Sequence, residues 1–186
     1  MLLNNVTLSY PSPFKKAMYQ GKETKYQTDV IIKKDSPAYK ALKEAYDHIC
    51  AEALASNSLT KAQLTPWFRP QGGTKSIVVD CDDDPDKYSD PRYHNAVICS
   101  PKNTHRPVVV DRKMHPLTED DDAIHGGTVA NVFVTFYVYN RDFKGVGLQL
   151  DGIQKVSDGQ PFGSEPKKAN DMFTELDGDD DGDMFS

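Results

Sequence analysis

Residues 125–140, HGGTVANVFVTFYVYN, constrain the fold more than any other part of the chain. The even positions Ala130, Val132, Val134, Phe136 and Val138 are uniformly apolar. Strict alternation of this kind commits the segment to a long strand with that face toward a core. KGVGLQLDGIQKV follows, with Val146, Leu148 and Leu150 alternating, so the two segments are expected to form a hairpin turning near Asn140 to Gly145.

The remaining elements fit around that hairpin. Leu2, Val6, Leu8 and Tyr10 alternate against Asn5, Thr7 and Ser9, which predicts a half-buried first strand. Residues 11–25 carry two prolines, a glycine, two aromatics and four lysines and read as a basic loop. Tyr26, Thr28, Val30 and Ile32 predict a second strand. Ser36-Pro37 then supplies an N-cap and a first-turn proline. From there Ala38, Leu42, Ala45, Tyr46, Ile49 and Ala53 form one apolar stripe, giving a helix over about 36–55. Residues 56–75 read as a short capped helix followed by a loop. SIVVDC (76–81) and PVVVD (107–111) read as strands covered on both faces, flanking an acidic excursion. The order strand, strand, helix, strands implies a mainly β fold. An OB-type five-stranded antiparallel barrel with an inserted helix fits it best, and a sandwich is the competitor. Residues 1–156 form the expected domain, 157–168 a flexible linker, and 169–186 an acidic tail with too little apolar surface to order itself.

The odd positions of the long strand are unusual. Asn131, Phe133, Thr135, Tyr137, Tyr139 and Arg141 place three aromatics and a cation where water-facing strands usually carry Lys, Glu and Thr. Either the rings pack beneath a loop or the helix, or they form a platform on which unpaired bases stack, with Arg141 near the backbone phosphates. Aromatics and cations are also interleaved in predicted loops and strand ends: Phe14, Lys15, Lys16, Tyr19 and Lys22; Trp67, Phe68 and Arg69; Arg92 and Tyr93; Phe143 and Lys144. A ring beside a phosphate-pairing cation is what a sequence-tolerant single-strand site requires.

Charge is segregated. The chain's net charge is −6, and residues 169–186 hold seven acids and no base, which leaves the rest at +1. Residues 80–90 and 119–122 are also acidic, so the scaffold between these clusters is basic. An acidic end on a basic body suggests a tail that meets the body's own basic surface or basic partners, against the simpler reading of a solubility tail. No signal peptide and no apolar run long enough to span a membrane is read. Cys50, Cys81 and Cys99 form no CxxC pair and read as reduced thiols. No cofactor or metal site is read. Asp177-x-Asp179-x-Asp181-Gly182 imitates half of an EF-hand loop without its terminal Glu or flanking helices, and Asp80-x-Asp82-x-Asp84 is followed by Pro85 where that loop needs glycine. The five histidines have no ligand spacing, and Gly126-Gly127 is a turn signal. Asp80 and Asp111, at strand ends, are the one pair that a metal nuclease would find tempting. Three classes of function therefore stand: single-strand coating, a metal-dependent nuclease, and an acidic protein-binding adaptor or DNA mimic.

Four features occur in order: KYQTDVIIKKDSPAYKALKEAYDHI, PVVVDRK, the glycine pair with its long hairpin, and a linker into an acidic end bearing Phe185. In this the chain resembles the bacteriophage single-stranded DNA-binding proteins. The resemblance implies an OB barrel that coats unpaired DNA without sequence preference during replication and recombination in the cytoplasm of an infected bacterial host; with no nucleophile motif in the chain, no enzymatic activity is expected. It also implies a tail, here Asp177, Asp179, Asp180, Asp181, Asp183 and Phe185, that competes with DNA for the basic groove. The same tail would dock on phage polymerase, helicase or other replication partners. Carboxylates would stand in for phosphates, and Phe173 or Phe185 for a base. Family members typically end on the aromatic, whereas Ser186 follows Phe185 here. The WFRPQGG loop and the DDDPDKYSD excursion have no counterpart in the family pattern. A homodimer with exchanged tails is compatible with these residues and not required by them.

Overall fold

A computed structural model describes residues 1–162. The later part of the expected linker, 163–168, and the whole acidic tail, with Phe173, Asp177, Asp179, Asp180, Asp181, Asp183 and Phe185, lie outside the described residues. In chain order the strands are β1 (Leu2–Ser12), β2 (Met18–Tyr19), β3 (Lys22–Glu23), β4 (Tyr26–Lys33), β5 (Val78–Asp80), β6 (Ala96–Cys99), β7 (Lys102–Asn103), β8 (Val108–Val110), β9 (Val129–Asn140) and β10 (Lys144–Ser157). Among the described residues one α-helix, α1 (Pro37–Ala55), lies between β4 and β5. The fold is mainly β with one inserted helix, as the element order predicts.

The main sheet runs β5-β6-β4-β1-β9-β10-β8, with β7 pairing β4 off that path. All of its pairs are antiparallel except β8 with β10. The sheet curls until its margins meet through a side chain: the Asn103 amide of β7 donates to the Leu150 carbonyl of β10 at 2.9 Å. Inside the curl lie Leu3, Leu8, Val30, Ile32, Val132, Val134 and Leu150, and α1 closes the core with Leu42, Tyr46, Cys50 and Ala53. Each fully buried Leu, Ile or Val contributes about 1.5–3 kcal/mol. The helix begins where predicted. Ser36 is extended (φ −81°, ψ 152°), its hydroxyl accepts from the Tyr39 amide at 3.2 Å, and Pro37 occupies the first turn.

Four expectations need correction. First, Leu2 and Tyr10 do not share the core face of β1. Asn5 (φ 52°) and Tyr10 (φ 44°) adopt left-handed backbone at two irregularities in strand register, so Leu3, Val6 and Leu8 turn inward while Leu2 and Tyr10 point out. Second, the basic loop contains the β2–β3 hairpin, turned by Gln20 and Gly21, both with positive φ. Third, the wholly buried strand between the two β-branched runs is β6, while β8 has one open face: Val108 is 67% exposed. Fourth, the start of the expected linker lies on the body. Gly127 (φ 103°) and Gly159 (φ 63°) approach so closely that a Cβ on Gly127 would stand 2.0 Å from the Gln160 carbonyl oxygen. Phe162 then stacks on Tyr93, with centroids 5.4 Å apart.

Candidate nucleic-acid interface

The long hairpin builds its outer face from two cross-strand pairs. Tyr139 stands opposite Gly145, and Tyr137 opposite Gly147. A Cβ on Gly147 would meet the Tyr137 ring at 2.6 Å, and one on Gly145 would meet the Tyr139 hydroxyl at 2.4 Å. The two rings therefore lie over bare backbone, their centroids 6.1 Å apart and tilted by 50°. Tyr137 remains 38% exposed. Tyr139 is half-buried, its hydroxyl 3.4 Å from Thr65 Oγ1, and that oxygen also accepts from the Val146 amide at 3.0 Å. Thr65 thus pins the loop after α1 against the hairpin.

These tyrosines floor a groove of about 540 Å³ between β9–β10 on one side and β5, β6 and β7 on the other. Four cations line it, Lys25, Arg69, Lys75 and Lys102, and among the described residues no carboxylate does. Behind this wall Asp29 accepts from Ser100 Oγ; burial pushes its carboxyl up from the ordinary value, against the lowering by that bond and by Lys102. Lys25 sits at the base of the β2–β3 hairpin, where its carbonyl accepts from the Ala17 amide at 2.9 Å. That hairpin projects exposed Met18, Tyr19 and Lys22. At the other end, Lys75 lies 4.9 Å from the Phe143 ring centroid, so the β9–β10 turn with exposed Arg141, Phe143 and Lys144 continues the same surface. Phe68 is 41% exposed beside Arg69. The arrangement offers ring faces and an excess of positive charge along one channel. In water an ammonium about 4 Å from a phosphate gains about 1 kcal/mol, and about 4 kcal/mol at the lower effective dielectric of a protein surface.

Other expected site residues are used differently. Trp67 is a core residue, 8% exposed, between Tyr46 and Tyr39 at centroid distances of 5.1 and 5.9 Å, and its indole N–H points at the Tyr39 hydroxyl. No face of its ring is left for a base. Tyr93 is also buried, hydrogen-bonded to Ser9 Oγ at 2.9 Å. Arg92 lies 3.6 Å above the Phe162 ring and makes a two-pronged pair with Asp90, whose carboxyl it holds down to about 2. Arg92 and Tyr93 therefore clamp Phe162 within the protein. Phe14 packs partly into the core beneath Arg106, Lys15 pairs with Glu119, and Lys16 is half-buried. Phe133 is exposed but lies apart from the groove, beyond Thr135 and Asp151, whose side chains bond at 2.6 Å.

Asp80 and Asp111 are not brought together. They belong to β5 and to the end of β8, the two ends of the sheet path. Asp80 caps the turn that follows it and pairs with Lys34 at 2.6 Å; Asp111 accepts from the amides of Lys113 and His115. Sequence reasoning missed Lys25, Lys75 and Lys102: the last two have no aromatic neighbour adjacent in sequence, and Lys25 precedes Tyr26, which reads as the start of a strand. The glycines were a readable signal, since Gly145 and Gly147 fall opposite the two tyrosines once the hairpin register is drawn.

Comparison with known proteins bears on the family and the fold. Residues 1–185 match the model of a family described as Enterobacter phage Enc34, ssDNA-binding protein. Protein p50 of Acyrthosiphon pisum secondary endosymbiont phage 1 is 29% identical over 162 residues, covering 86% of this chain and 84% of that one. The structure of the single-stranded DNA-binding protein from bacteriophage Enc34 in complex with ssDNA superposes with a TM-score of 0.64 at 21% identity, covering 87% of this chain and 88% of that one. Gp2.5, a single-stranded DNA binding protein encoded by bacteriophage T7, superposes with a TM-score of 0.51 at 16% identity, covering 100% and 99%. The fold is shared with both.

Proposed function

The chain belongs to the Enc34 single-stranded DNA-binding protein family, and we propose that it coats unpaired DNA without regard to sequence through the groove floored by Tyr137 and Tyr139. The observation that carries this reading is the pairing of two tyrosine rings, Tyr137 exposed and Tyr139 half-buried, with four cations and, among the described residues, no carboxylate in one channel. The strand enters past Tyr19 and Lys22 on the β2–β3 hairpin, crosses Lys25 and Lys102, and stacks on the tyrosines. It leaves over Arg141, Phe143 and Lys144, with Phe68 and Arg69 on the opposite lip. Unpaired bases present free π-faces to such a floor whatever their identity, whereas duplex bases are already stacked.

Residues 1–156 are the binding unit, and 169–186 compete with DNA for it, their carboxylates meeting the same cations. A long strand occupying many phosphates displaces the tail. The freed acids and Phe185 then dock replication partners such as a polymerase or helicase, in the cytoplasm of the phage's bacterial host.

The test is fluorescence anisotropy of dye-labelled oligo(dT) and of a matching duplex over a range of salt. Tight, sequence-tolerant binding of oligo(dT) is expected, with weaker duplex binding and a log–log salt slope of about −0.7 per phosphate neutralised. No affinity for oligo(dT) would overturn the reading in favour of a protein-binding adaptor.

A further inference from the structure

One outer-face aromatic of β9 serves neither groove nor core. Phe133 (47% exposed) meets Leu2 (46%), Val108 (67%) and Met114 (65%) around a pocket of about 290 Å³ floored by Val110 and Ile153. Isolated exposed hydrophobics need no explanation, but four large ones around one cavity mark an interaction site. The cavity exists because β8 runs parallel beside β10 with Val108 level with Gly152, where a Cβ would stand 3.3 Å from the Val108 carbonyl oxygen. Its polar rim is already satisfied: Asn131 bonds Gln154 at 3.0 Å, and Gln154 reaches the Met114 sulfur at 3.4 Å. Asp151 marks the border toward the groove, which makes the pocket a poor continuation of a phosphate path.

Size and charge define the occupant. The volume lies at the bottom of the range of about 300–1,000 Å³ for small-ligand sites, enough for one or two side chains. A stable dimer needs about 800 Å² from each partner, far more than this patch. Exposed Arg112 and Lys113 precede Met114, and neither has an ion-pair partner among the described residues. The fitting ligand is a short segment in which an acid adjoins large apolar side chains. Beyond Phe162 the sequence contains that arrangement twice, Asp171-Met172-Phe173 and Asp183-Met184-Phe185.

We propose that the pocket binds Asp171-Met172-Phe173 of the same chain, with Phe173 in the cavity and Asp171 toward Arg112 and Lys113. Reach allows it. The described chain ends at Phe162 beside Tyr10, and Leu2 lines the pocket at the far end of β1, at most about 27 Å away at the rise of a strand. The nine residues from Phe162 to Asp171 span up to about 32 Å. Docked there, the proximal triplet sets the acids from Glu175 onward beside the groove, since Phe133 and Tyr137 lie about 13 Å apart along β9. The distal triplet stays available to partners.

The test uses the full chain with labelled methyl groups and no DNA, so its failure leaves the DNA-binding reading standing, and loss of oligo(dT) binding leaves this one standing. Replacing Met172→Ser and Phe173→Ser is expected to move the Met114 and Ile153 methyl signals while leaving that of core Leu42 in place. The shift should be unaffected by dilution. In a chain already carrying Val108→Asp, an exposed position, the same replacement should move them no further. Three results would overturn the proposal: Met114 and Ile153 signals that do not respond, a response confined to Met184→Ser with Phe185→Ser, or a response that fades on dilution and so comes from a neighbouring copy.

Discussion

Tyr137→Ala isolates the stacking contribution. Its ring lies on Gly147 with 38% of the residue open to solvent, so truncation removes one π-face and some packing over bare backbone without opening the core. Losing one base–aromatic stack costs about 1–3 kcal/mol, which is roughly a 5- to 140-fold weaker Kd for oligo(dT). The partial burial lost costs about 1–2 kcal/mol of stability, visible as a lower urea midpoint with an unchanged m-value. Tyr137→Phe keeps the ring and should bind as wild type. Salt separates stacking from charge: the Tyr137→Ala line should run parallel to wild type in a log–log plot, whereas Lys75→Ala or Lys102→Ala should reduce the slope by about 0.7. The assay is anisotropy titration at several salt concentrations. Unchanged affinity in Tyr137→Ala, or a changed slope, would refute the claim that a base lies on that ring.

Trp67→Ala is expected to lose about 3–5 kcal/mol of stability in urea denaturation, as a core truncation does, rather than to act as a clean binding variant. The Asp90–Arg92 pair clamps Phe162, and its carboxyl is held down to about 2 in the folded protein. Its contribution is therefore complete above pH about 4 and is lost on acidification through about 2, which amide exchange at Phe162 should follow; protection unchanged over that window would count against the clamp. Changing Asp177, Asp179, Asp180, Asp181 and Asp183 to Asn should tighten oligo(dT) binding at low salt, and equal affinity would exclude competition by the tail.

What was legible in the sequence was whatever a local period carries. The helix capped by Ser36 follows from a 3.6-residue repeat, and the hairpin from a 2-residue repeat that runs unbroken from Val129 to Asn140 and from Lys144 to Leu150, before the irregularities at Leu150–Gly152 and Lys155–Ser157. β1 misled because two left-handed residues, Asn5 and Tyr10, each break the period, and nothing in an Asn-Asn or Ser-Tyr-Pro sequence announces a bulge. β6 was hidden inside an acidic excursion. Of the site, the Tyr137 and Tyr139 face was readable, but the lysines that complete the groove come from three separate segments joined only by the curl of the sheet. Trp67, Arg92 and Tyr93 were misjudged for one physical reason. A ring beside a cation in a loop reads the same whether it faces water or closes on its own chain, and only the tertiary partners Tyr46, Tyr39 and Phe162 decide between them.

The Asn103–Leu150 bond has a further consequence. The walls of the groove belong to opposite margins of one sheet, and among the described residues a single amide side chain ties β7 to β10 beside Lys102. Channel width and sheet closure are thus one mechanical variable: spreading the walls around a bulkier strand means unlatching a seam rather than bending a continuous surface. The groove thus follows the seam of the sheet rather than crossing its continuous middle.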